Sequence, residues 1–343
     1  MKLLRVLHVG VANRGTWPLK RCNASTGFIP AALVDVNDAA LEAARQITGL
    51  PASVCFRSMD EALRAVAVDC VIVCTPTRFH VPLAKQAIAA GKPVLVEKGM
   101  APDWAAAREL AEAVARTPGA VAAVAQNYRY NGMERTFARA VRDANFPAYL
   151  GRVDLVEYTQ YRVRPHVGTL SYPFASVWDM SCHHFDTLLS WFGPMARMTA
   201  FGWRAAWSPY EGVCNTTAMI EFAGGVRAHY AHTHDAARNV LDIQMHAERG
   251  CLSATGTTYV DAGGLVFSAR PTEQFGTRPA VPVPLEAADG ESDLLRDFYR
   301  YIVEGVEPGI SVRNNLETMA ACEMMVRSIR LGRPVERSEL EAS

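Results

Sequence analysis

Short, almost continuous apolar runs alternate with amphipathic segments through the first third of the chain. The apolar runs occupy residues 3–11, 30–36, 69–76, 92–98 and 119–126. Runs of this kind are typical of parallel strands that are covered on both faces. The intervening segments, residues 37–49, 58–66, 80–91 and 102–117, have helical periodicity. The alternation therefore predicts a doubly wound α/β domain.

The pattern changes after about residue 150. Alternating polar and apolar positions predict antiparallel strands within residues 151–163, 198–205, 216–234, 240–256 and 264–269. Ala223–Gly225 and Ala262–Gly264 have the composition of hairpin turns. Two helical segments close the chain, and Asn314 followed by Glu317 predicts a capping box at the start of the second. The remainder is thus predicted to be an α+β domain with a large, mainly antiparallel open sheet.

Length, charge and cysteine content narrow the classes of protein. A chain of 343 residues favours two domains. Lys and Arg number 35, as do Asp and Glu, so no overall charge favours nucleic acid or an anionic membrane as partner. The eight cysteines contain no CxxC pair and indicate reduced thiols. Without an apolar run of about 20 residues or a signal-peptide cleavage site, a cytoplasmic location is expected.

The turn after the first predicted strand has the spacing of a dinucleotide-binding motif. It runs from Gly10 to Gly15, with Ala12 at the position of the second glycine and Asn13 and Arg14 between. Small residues are needed there because backbone amides must approach the pyrophosphate closely. An alanine methyl group narrows that approach without abolishing it. The motif predicts a bound dinucleotide, with a plain strand-to-helix turn as the alternative.

Asp35 strengthens this prediction. It ends the second apolar strand, twenty residues after Gly15, where a carboxylate accepts hydrogen bonds from the adenosine ribose. Its charge would repel the 2′-phosphate of NADP, and Asn37 stands where an arginine could have compensated. The sequence therefore predicts NAD, with NADP as the alternative if Arg14 moves to bind the phosphate.

Three later segments, in this order, complete a resemblance. They contain Thr75-Pro76 with His80, then Gly91-Lys92-Pro93 with Glu97-Lys98, and finally Asp179, His183 and Asp186 in a D-x-x-x-H-x-x-D pattern. Together with the glycine turn, the set resembles the glucose–fructose oxidoreductase/inositol dehydrogenase (Gfo/Idh/MocA) family. Two positions depart from the family pattern, because Gly99 replaces the proline of E-K-P and Ala12 replaces a glycine.

The resemblance implies a Rossmann NAD-binding domain over residues 1–125 and an α+β substrate-binding and oligomerisation domain over residues 126–343. It implies an NAD(P)-dependent dehydrogenase that oxidises a secondary alcohol of a sugar, inositol or related polyol, or reduces the ketone. The expected assembly is a homodimer or homotetramer. Two alternatives remain open: a lyase or glycoside hydrolase that uses transient oxidation by NAD, and a non-catalytic NAD-binding sensor.

Several residues near the predicted strand ends are candidates for the site in the first domain. Lys98 follows a buried strand and can donate to the substrate oxygen. Glu97 is a candidate for the nicotinamide ribose, and Thr75 and Pro76 for cofactor contacts. His80 is expected to pack near the cofactor, with a structural role in the cap region as the alternative. Asn127 follows the last strand and is expected near the nicotinamide.

The D-x-x-x-H-x-x-D segment is predicted to be helical, capped by Ser176, with its three polar residues on one face. His183 is the predicted base for the substrate hydroxyl because histidine titrates near neutral pH. Asp179 is expected to orient His183 or to bind substrate. Asp186 is expected to support these residues without touching the substrate. The alternative is a polar exterior with a structural histidine. Folding is expected to bring Lys98 and His183 together beside the nicotinamide.

Two further polar groups are less specific. Arg162, Arg164 and His166 form a basic cluster that could recognise an acidic or phosphorylated substrate, although a solvated strand gives the same pattern. His232 and His234 lie on one side of a strand. Two histidines make a poor zinc site without a third ligand, so no metal is predicted.

Overall fold

The computed structural model describes residues 2–163, 167–258, 264–273, 276 and 278–341. The chain divides into two compact units. Unit 1 comprises Met1–Asn127 with Asp289–Met319, and unit 2 comprises Tyr128–Ala288 with Ala320–Ser343. The sequence-based division ended the first domain at residue 125, whereas unit 1 also includes residues 126–127 and 289–319.

Strands and helices alternate in the first third of the chain, as the apolar pattern predicts, whereas strands follow one another directly from residue 195 to residue 283. The strands are β1 Leu4–Val9, β2 Phe28–Val34, β3 Cys55–Phe56, β4 Cys70–Val73, β5 Val94–Val96, β6 Ala122–Val124, β7 Val153–Tyr161, β8 Met195–Trp203, β9 Asn215–Phe222, β10 Arg227–Thr233, β11 Val240–Ala247, β12 Gly250–Gly256, β13 Leu265–Ala269, β14 Val281–Val283 and β15 Val335–Glu336. The α-helices are α1 Thr16–Arg21, α2 Asp38–Thr48, α3 Met59–Ala65, α4 His80–Ala89, α5 Trp104–Arg116, α6 Gly132–Arg142, α7 Cys182–Phe192, α8 Glu291–Glu304 and α9 Val312–Leu331.

Unit 1 contains a parallel sheet of six strands in the order β3-β2-β1-β4-β5-β6. The doubly wound Rossmann architecture predicted from the sequence is confirmed. Strands β4, β5 and β6 are buried along their whole length, as a sheet covered on both faces requires. The pattern of apolar positions missed β3, because a strand of two residues has no periodicity.

Helix α8 explains why residues 289–319 belong to unit 1. Phe298 is fully buried and its ring stacks on that of Phe28 in β2, with 5.8 Å between ring centroids. Tyr299 meets Phe28 edge-on at the same separation. Farther along, the N–H of Val124 in β6 donates to the carbonyl of Ile310. These contacts join residues far apart in sequence, so local pattern alone could not reveal them.

The capping box predicted at Asn314 is wrong. Helix α9 begins two residues earlier, at Val312. Ser311 takes the capping role because its hydroxyl accepts the Asn314 N–H at 3.1 Å. Both serine and asparagine are good capping residues, so the residue type did not decide between them.

Unit 2 contains a sheet of nine strands in the order β14-β13-β12-β11-β7-β10-β9-β8-β15. The central pair β7–β10 is parallel and the other pairings are antiparallel. The mainly antiparallel sheet is therefore confirmed, as is the hairpin turn at Ala223–Gly225 between β9 and β10. Of the other predicted turn, Ala262 and Gly263 lie outside the described residues.

All eight cysteines are free, and six of them are buried. Within the described part of the chain, no helix has the length and apolar character needed to cross a bilayer.

His8 makes the stability of the folded protein depend on pH. It lies in β1, is 2% exposed, and neither ring nitrogen has a hydrogen-bond partner among the described residues. Burial lowers the pKa of His8 to about 3, so the folded protein keeps it neutral. The unfolded chain binds a proton below about pH 6.5, and stability is therefore lost as the pH falls from there towards 3.

We expect His8 to reduce the free energy of unfolding by about 2 kcal/mol between pH 7.5 and pH 5. His8→Leu should remove that part of the pH dependence in urea denaturation. His229→Leu, at an exposed position of β10, is the matched control and should leave the dependence unchanged. Parallel stability–pH curves for His8→Leu and the unsubstituted protein would contradict this account.

Candidate active site

The glycine turn after β1 is folded so closely that two of its glycines are required. Gly10 has φ +81°, and a Cβ there would lie 2.7 Å from the carbonyl oxygen of Cys74. A Cβ on Gly15 would lie 2.1 Å from the carbonyl oxygen of Gly10. Ala12 is extended at φ −89°, a conformation open to any residue, so its departure from glycine leaves the turn intact. Asn13 adopts φ 48°, which asparagine tolerates.

Asp35 holds this turn against the end of β2. One carboxylate oxygen accepts the N–H of Val11 at 2.9 Å and the other accepts the N–H of Asn37 at 3.0 Å. A carboxylate has lone pairs beyond those two bonds, and the side chain is only partly buried. Asn37 caps α2 by accepting the N–H groups of Ala39 and Ala40. Asp35 therefore organises the turn and retains capacity to accept ribose hydroxyls.

Glu97, directly after β5, is a buried carboxylate with one cation partner. It is 4% exposed, and its Oε1 accepts from Nε of Arg14 at 2.8 Å. Its Oε2 is buried with no hydrogen-bond partner among the described residues. Nη2 of Arg14 also contacts Glu291 at the start of α8, at 3.4 Å. Arg14 is thus engaged by two carboxylates, which counts against its moving to a 2′-phosphate.

Lys98 follows Glu97 and is partly buried, and its peptide bond to Gly99 is cis. His80, at the start of α4, fastens this segment. Its Nδ1 lies 2.8 Å from the carbonyl oxygen of Gly99 and its Nε2 lies 2.7 Å from that of Thr75. Burial lowers the pKa of His80, while the two carbonyl oxygens oppose that shift. The structural role weighed for His80 is therefore present, because it ties the loops after β4 and β5 together.

The ends of the neighbouring strands carry further polar groups. The hydroxyl of Thr75, after β4, is buried and has no partner within the described chain. Gln126, after β6, is fully buried, and both atoms of its amide lack partners there. Asn127 is partly buried and is the last residue of this part of unit 1, and Pro76 is exposed.

These residues fit a dinucleotide. Strands β1 and β4 are neighbours at the point where the strand order reverses, which is where ligands bind in open parallel sheets. At Gly10 the glycine turn approaches the backbone of Cys74 with no side chain between them, and the acidic residue Asp35 directly follows β2. Thr75, Glu97 and Gln126 come just after β4, β5 and β6, and each has a buried polar side-chain atom without a hydrogen-bond partner among the described residues. Buried polar groups are normally hydrogen-bonded, so a polar ligand is the natural partner.

In unit 2, the segment carrying Asp179 departs from the predicted helix. Residues Val177–Ser181 form a π-helical turn that leads into α7. Ser176 precedes this turn but makes no side-chain cap, so its predicted capping role is wrong. Asp179 lies in the π turn while His183 and Asp186 lie in α7. Regular α-helical spacing therefore holds from His183 to Asp186 but not across the π turn, and that all three side chains share one face stays a prediction.

The imidazole of His183 is 4% exposed and stacks on the ring of Tyr128, with centroids 4.1 Å apart and planes 9° apart. Asp186 is buried and accepts two hydrogen bonds from Arg129, at 2.7 and 2.6 Å. The sequence places this segment, with Asn127 as its best candidate, near the nicotinamide, but it did not predict that Tyr128 and Arg129 pack on α7. The signal available was the Tyr-Arg pair directly after Asn127, but nothing local indicates that it packs on α7.

His184, next to His183, is structural. Its Nδ1 lies 2.8 Å from the hydroxyl of Tyr230 and its Nε2 lies 2.6 Å from Oε1 of Gln160. Burial lowers its pKa well below the usual value, and nearby histidines add to the shift. A neutral, fully bonded imidazole therefore anchors α7 to β7 and β10.

His232 and His234 are buried, and their rings meet edge-on at 4.9 Å. Across the described residues, no group of three or more histidine, cysteine or acidic side chains is placed to hold a metal ion. Of the predicted basic cluster, Arg162 follows β7, and Arg164 and His166 lie outside the described residues.

The predicted site residues divide between the units. Unit 1 holds Gly10, Ala12, Asn13, Arg14, Gly15, Asp35, Thr75, Pro76, His80, Glu97, Lys98 and Asn127, and unit 2 holds Asp179 and His183. That Lys98 and His183 meet at one point stays a prediction.

Comparison with known families gives two matches. The description "Oxidoreductase family, NAD-binding Rossmann fold" (GFO_IDH_MocA) matches residues 4–125. The C-terminal domain description of the same family matches residues 149–253. Together these ranges cover well over half of the chain.

Individual relatives and solved structures are also similar to this chain. A D-apiose dehydrogenase of Paraburkholderia graminis is 27% identical over 331 residues, covering 91% of this chain and 84% of that protein. An inositol 2-dehydrogenase of Leifsonia xyli is 38% identical over 112 residues, 31% of this chain and 32% of its own. The crystal structure of an aldose–aldose oxidoreductase from Caulobacter crescentus has a TM-score of 0.83 at 21% identity, covering 98% of this chain and all of that one. At that identity the structural likeness concerns the fold alone.

Gly15→Ala should weaken NADH binding at least tenfold, because the new methyl group would collide with backbone and force the turn open. Binding can be followed by the fluorescence of NADH. Gly49→Ala, in the same unit with φ +72° and open space around the position, costs backbone strain of about 1 kcal/mol but leaves the turn untouched. Equal NADH affinities for the two variants would contradict the role given to Gly15.

Proposed function

The chain belongs to the GFO/IDH/MocA family of NAD-binding oxidoreductases, and from that premise we propose that it oxidises a secondary alcohol of a sugar, inositol or related polyol, or reduces the corresponding ketone. The activities of the D-apiose dehydrogenase and the inositol 2-dehydrogenase that it resembles support this substrate class. The observation that carries the proposal is the end of β5. There Lys98 follows a buried, ion-paired carboxylate, and polar groups without partners end the neighbouring strands.

The glycine turn and Asp35 would hold the dinucleotide. Gly10 and Gly15 keep side chains away from the pyrophosphate, and the Asp35 carboxylate accepts ribose hydroxyls. When bound, the nicotinamide supplies a hydride acceptor or donor. The protein's own contribution is to orient the substrate and to move the hydroxyl proton.

The charge of Asp35 supports NAD over NADP. Two negative charges about 4 Å apart repel by roughly 4 kcal/mol at an effective dielectric constant of about 20. The cations near Asp35 are already engaged, because Arg14 is held by Glu97 and Glu291, and Arg57 is bonded to the carbonyl of Val36 and paired with Asp38. A 2′-phosphate placed beside Asp35 would therefore weaken binding.

Lys98 is proposed to donate a hydrogen bond to the reacting oxygen. During oxidation that oxygen gains negative character as its proton leaves, and a fixed ammonium stabilises it. Glu97 contributes by fixing the chain directly before Lys98, since its carboxylate is bonded to Arg14. His80 contributes from the other side by bonding the carbonyl of Gly99.

His183 is proposed to take the hydroxyl proton in oxidation and to return it in reduction. Its ring is held in plane against Tyr128, which restricts its rotation. Asp179, one turn earlier, is proposed to orient the imidazole or to bind a substrate hydroxyl. Asp186 is already paired with Arg129 and so serves to hold the segment after β6 against α7.

Lys98→Met and His183→Gln should each lower kcat/KM by about 10² to 10⁴, the usual contribution of a positioned acid or base. NADH affinity should change little. The assay is NADH absorbance with a panel of sugars and polyols, beside NADH fluorescence titration. Lys85→Met, at a partly exposed position of α4, and His229→Gln, at an exposed position of β10, are the matched controls.

Each outcome of this experiment is informative. Full turnover in Lys98→Met or His183→Gln would contradict the assigned roles. A wild-type protein that binds NADH but converts no member of the panel, either by net reduction of NAD or by cleavage of the substrate, would contradict the enzyme proposal and indicate a sensor. Cleavage without net NADH would indicate transient oxidation.

A further inference from the structure

Arg162 carries a charge that the described chain does not neutralise. It follows β7 and is partly buried. The polar contact of its guanidinium is Nη1 to the thioether sulfur of Met180, at 3.0 Å, and no carboxylate lies within ion-pairing distance among the described residues. A guanidinium has five N–H donors, and a partly buried charge is costly unless it is paired. Most of its hydrogen-bonding capacity is therefore unused.

The main chain around Arg162 is firmly held. Its N–H donates to the carbonyl of Thr233, after which β10 ends, and its own carbonyl accepts the N–H of Ala236, both at 2.9 Å. An acidic residue directly precedes each of two residues that contact Arg162. Asp179 precedes Met180, and Asp235 precedes Ala236. Neither forms an ion pair with Arg162, so the main chain that carries the guanidinium is held while its charge is not neutralised.

A second polar group without a partner lies next to it. Nδ1 of His232 is 2.7 Å from the carbonyl oxygen of Gln160, and because a carbonyl only accepts, Nδ1 carries the proton. Nε2 is then a lone-pair acceptor, and it is buried without a partner in the described chain. Burial lowers the pKa of His232 well below the usual value. The charge of Arg162 adds to that shift and the charge of Asp179 opposes it, so both charges act on this imidazole.

These observations identify the end of β7 and β10 as a place for a polar ligand that brings negative charge. Resting on the proposed function, we propose that Arg162 binds an anionic group of the substrate, a carboxylate or a phosphate. The substrate is then an acidic derivative of a sugar or polyol, such as a sugar acid or a sugar phosphate. The overall charge of the chain is zero, so the preference arises from this residue and not from a general positive field.

The planar guanidinium suits this role because its paired N–H groups match the oxygens of either anion. A neutral substrate would leave the guanidinium unpaired. Sites built around a charged group discriminate strongly against ligands that lack the partner, since the buried group is then unsatisfied. Specificity for acidic over neutral substrates should therefore depend on Arg162.

The test uses the full protein with NAD and four probes: D-glucuronate, D-glucose 6-phosphate, D-glucose and myo-inositol. Rates are followed by NADH absorbance, and binding to the NADH complex by calorimetry. We expect one of the acidic probes to be preferred over the neutral ones at least tenfold. Which of the two it is distinguishes a carboxylate from a phosphate as the natural group.

Substitutions of Arg162 test whether this residue causes the preference for acidic over neutral probes. Arg162→Met should reduce the acidic-to-neutral ratio at least tenfold, and Arg162→Lys should reduce it less, because it keeps the charge but loses the paired donors. Arg162→Gln provides a second neutral variant if the methionine variant folds poorly, as judged by circular dichroism. Arg227→Met, at the opposite end of β10 and more than half exposed, is the matched control and should preserve the ratio.

Failure of this inference differs from failure of the proposed function. Net NADH formation from a neutral probe, with no preference for acids and no effect of Arg162→Met on the ratio, would overturn the anion site and leave the dehydrogenase. Arg162-dependent binding of an acidic probe without NADH formation from any probe would support the anion site and count against the dehydrogenase. Absence of both binding and turnover of the acidic probes in the unsubstituted protein would overturn the inference.

Discussion

A carboxylate buried at the end of a parallel strand needs a cation, and this requirement joins the functional parts of unit 1. Glu97 is almost inaccessible to solvent, and Arg14 of the glycine turn supplies the positive charge. An unpaired carboxylate at that depth would cost several kcal/mol. The turn proposed to hold the dinucleotide and the strand end that carries Lys98 are therefore fixed to each other by one ion pair. The same pair reduces the availability of Arg14 for a phosphate, which strengthens the argument for NAD.

The charge network around this ion pair also includes a residue of helix α8, far away in sequence. Glu291, at the start of α8, contacts both Arg14 and Arg21, and Phe298 of the same helix packs on β2. A segment nearly three hundred residues from the glycine turn thus completes the charge balance around it. In unit 2, an ion pair of the same kind, between Arg129 and Asp186, holds the start of that unit against α7. Each unit fixes its candidate catalytic residue with a buried acid and an arginine.

The sequence was sufficient for features that depend on local pattern. Apolar runs located five of the six strands of unit 1, and the spacing of Gly10, Gly15 and Asp35 predicted a turn that the structure forms with Asp35 bonded to it. Features that depend on long-range packing were not predictable. They include the membership of α8 in unit 1, the stacking of Tyr128 on His183, and the engagement of Arg14 by Glu97. The π turn at Asp179 was also missed, because hydrophobic periodicity does not distinguish it from an α-helix.

The most direct measurement is a double-mutant cycle on the Arg14–Glu97 pair, read by NADH affinity and by the free energy of unfolding. Arg14→Met leaves a buried carboxylate without its cation, whereas Arg14→Met combined with Glu97→Gln removes both charges. We expect the double variant to be more stable than Arg14→Met alone and to bind NADH at least tenfold more tightly, since the uncompensated charge is gone. Losses in the double variant that equal the sum of the two single losses would show that the pair does not couple the turn to the strand end, and would contradict the account.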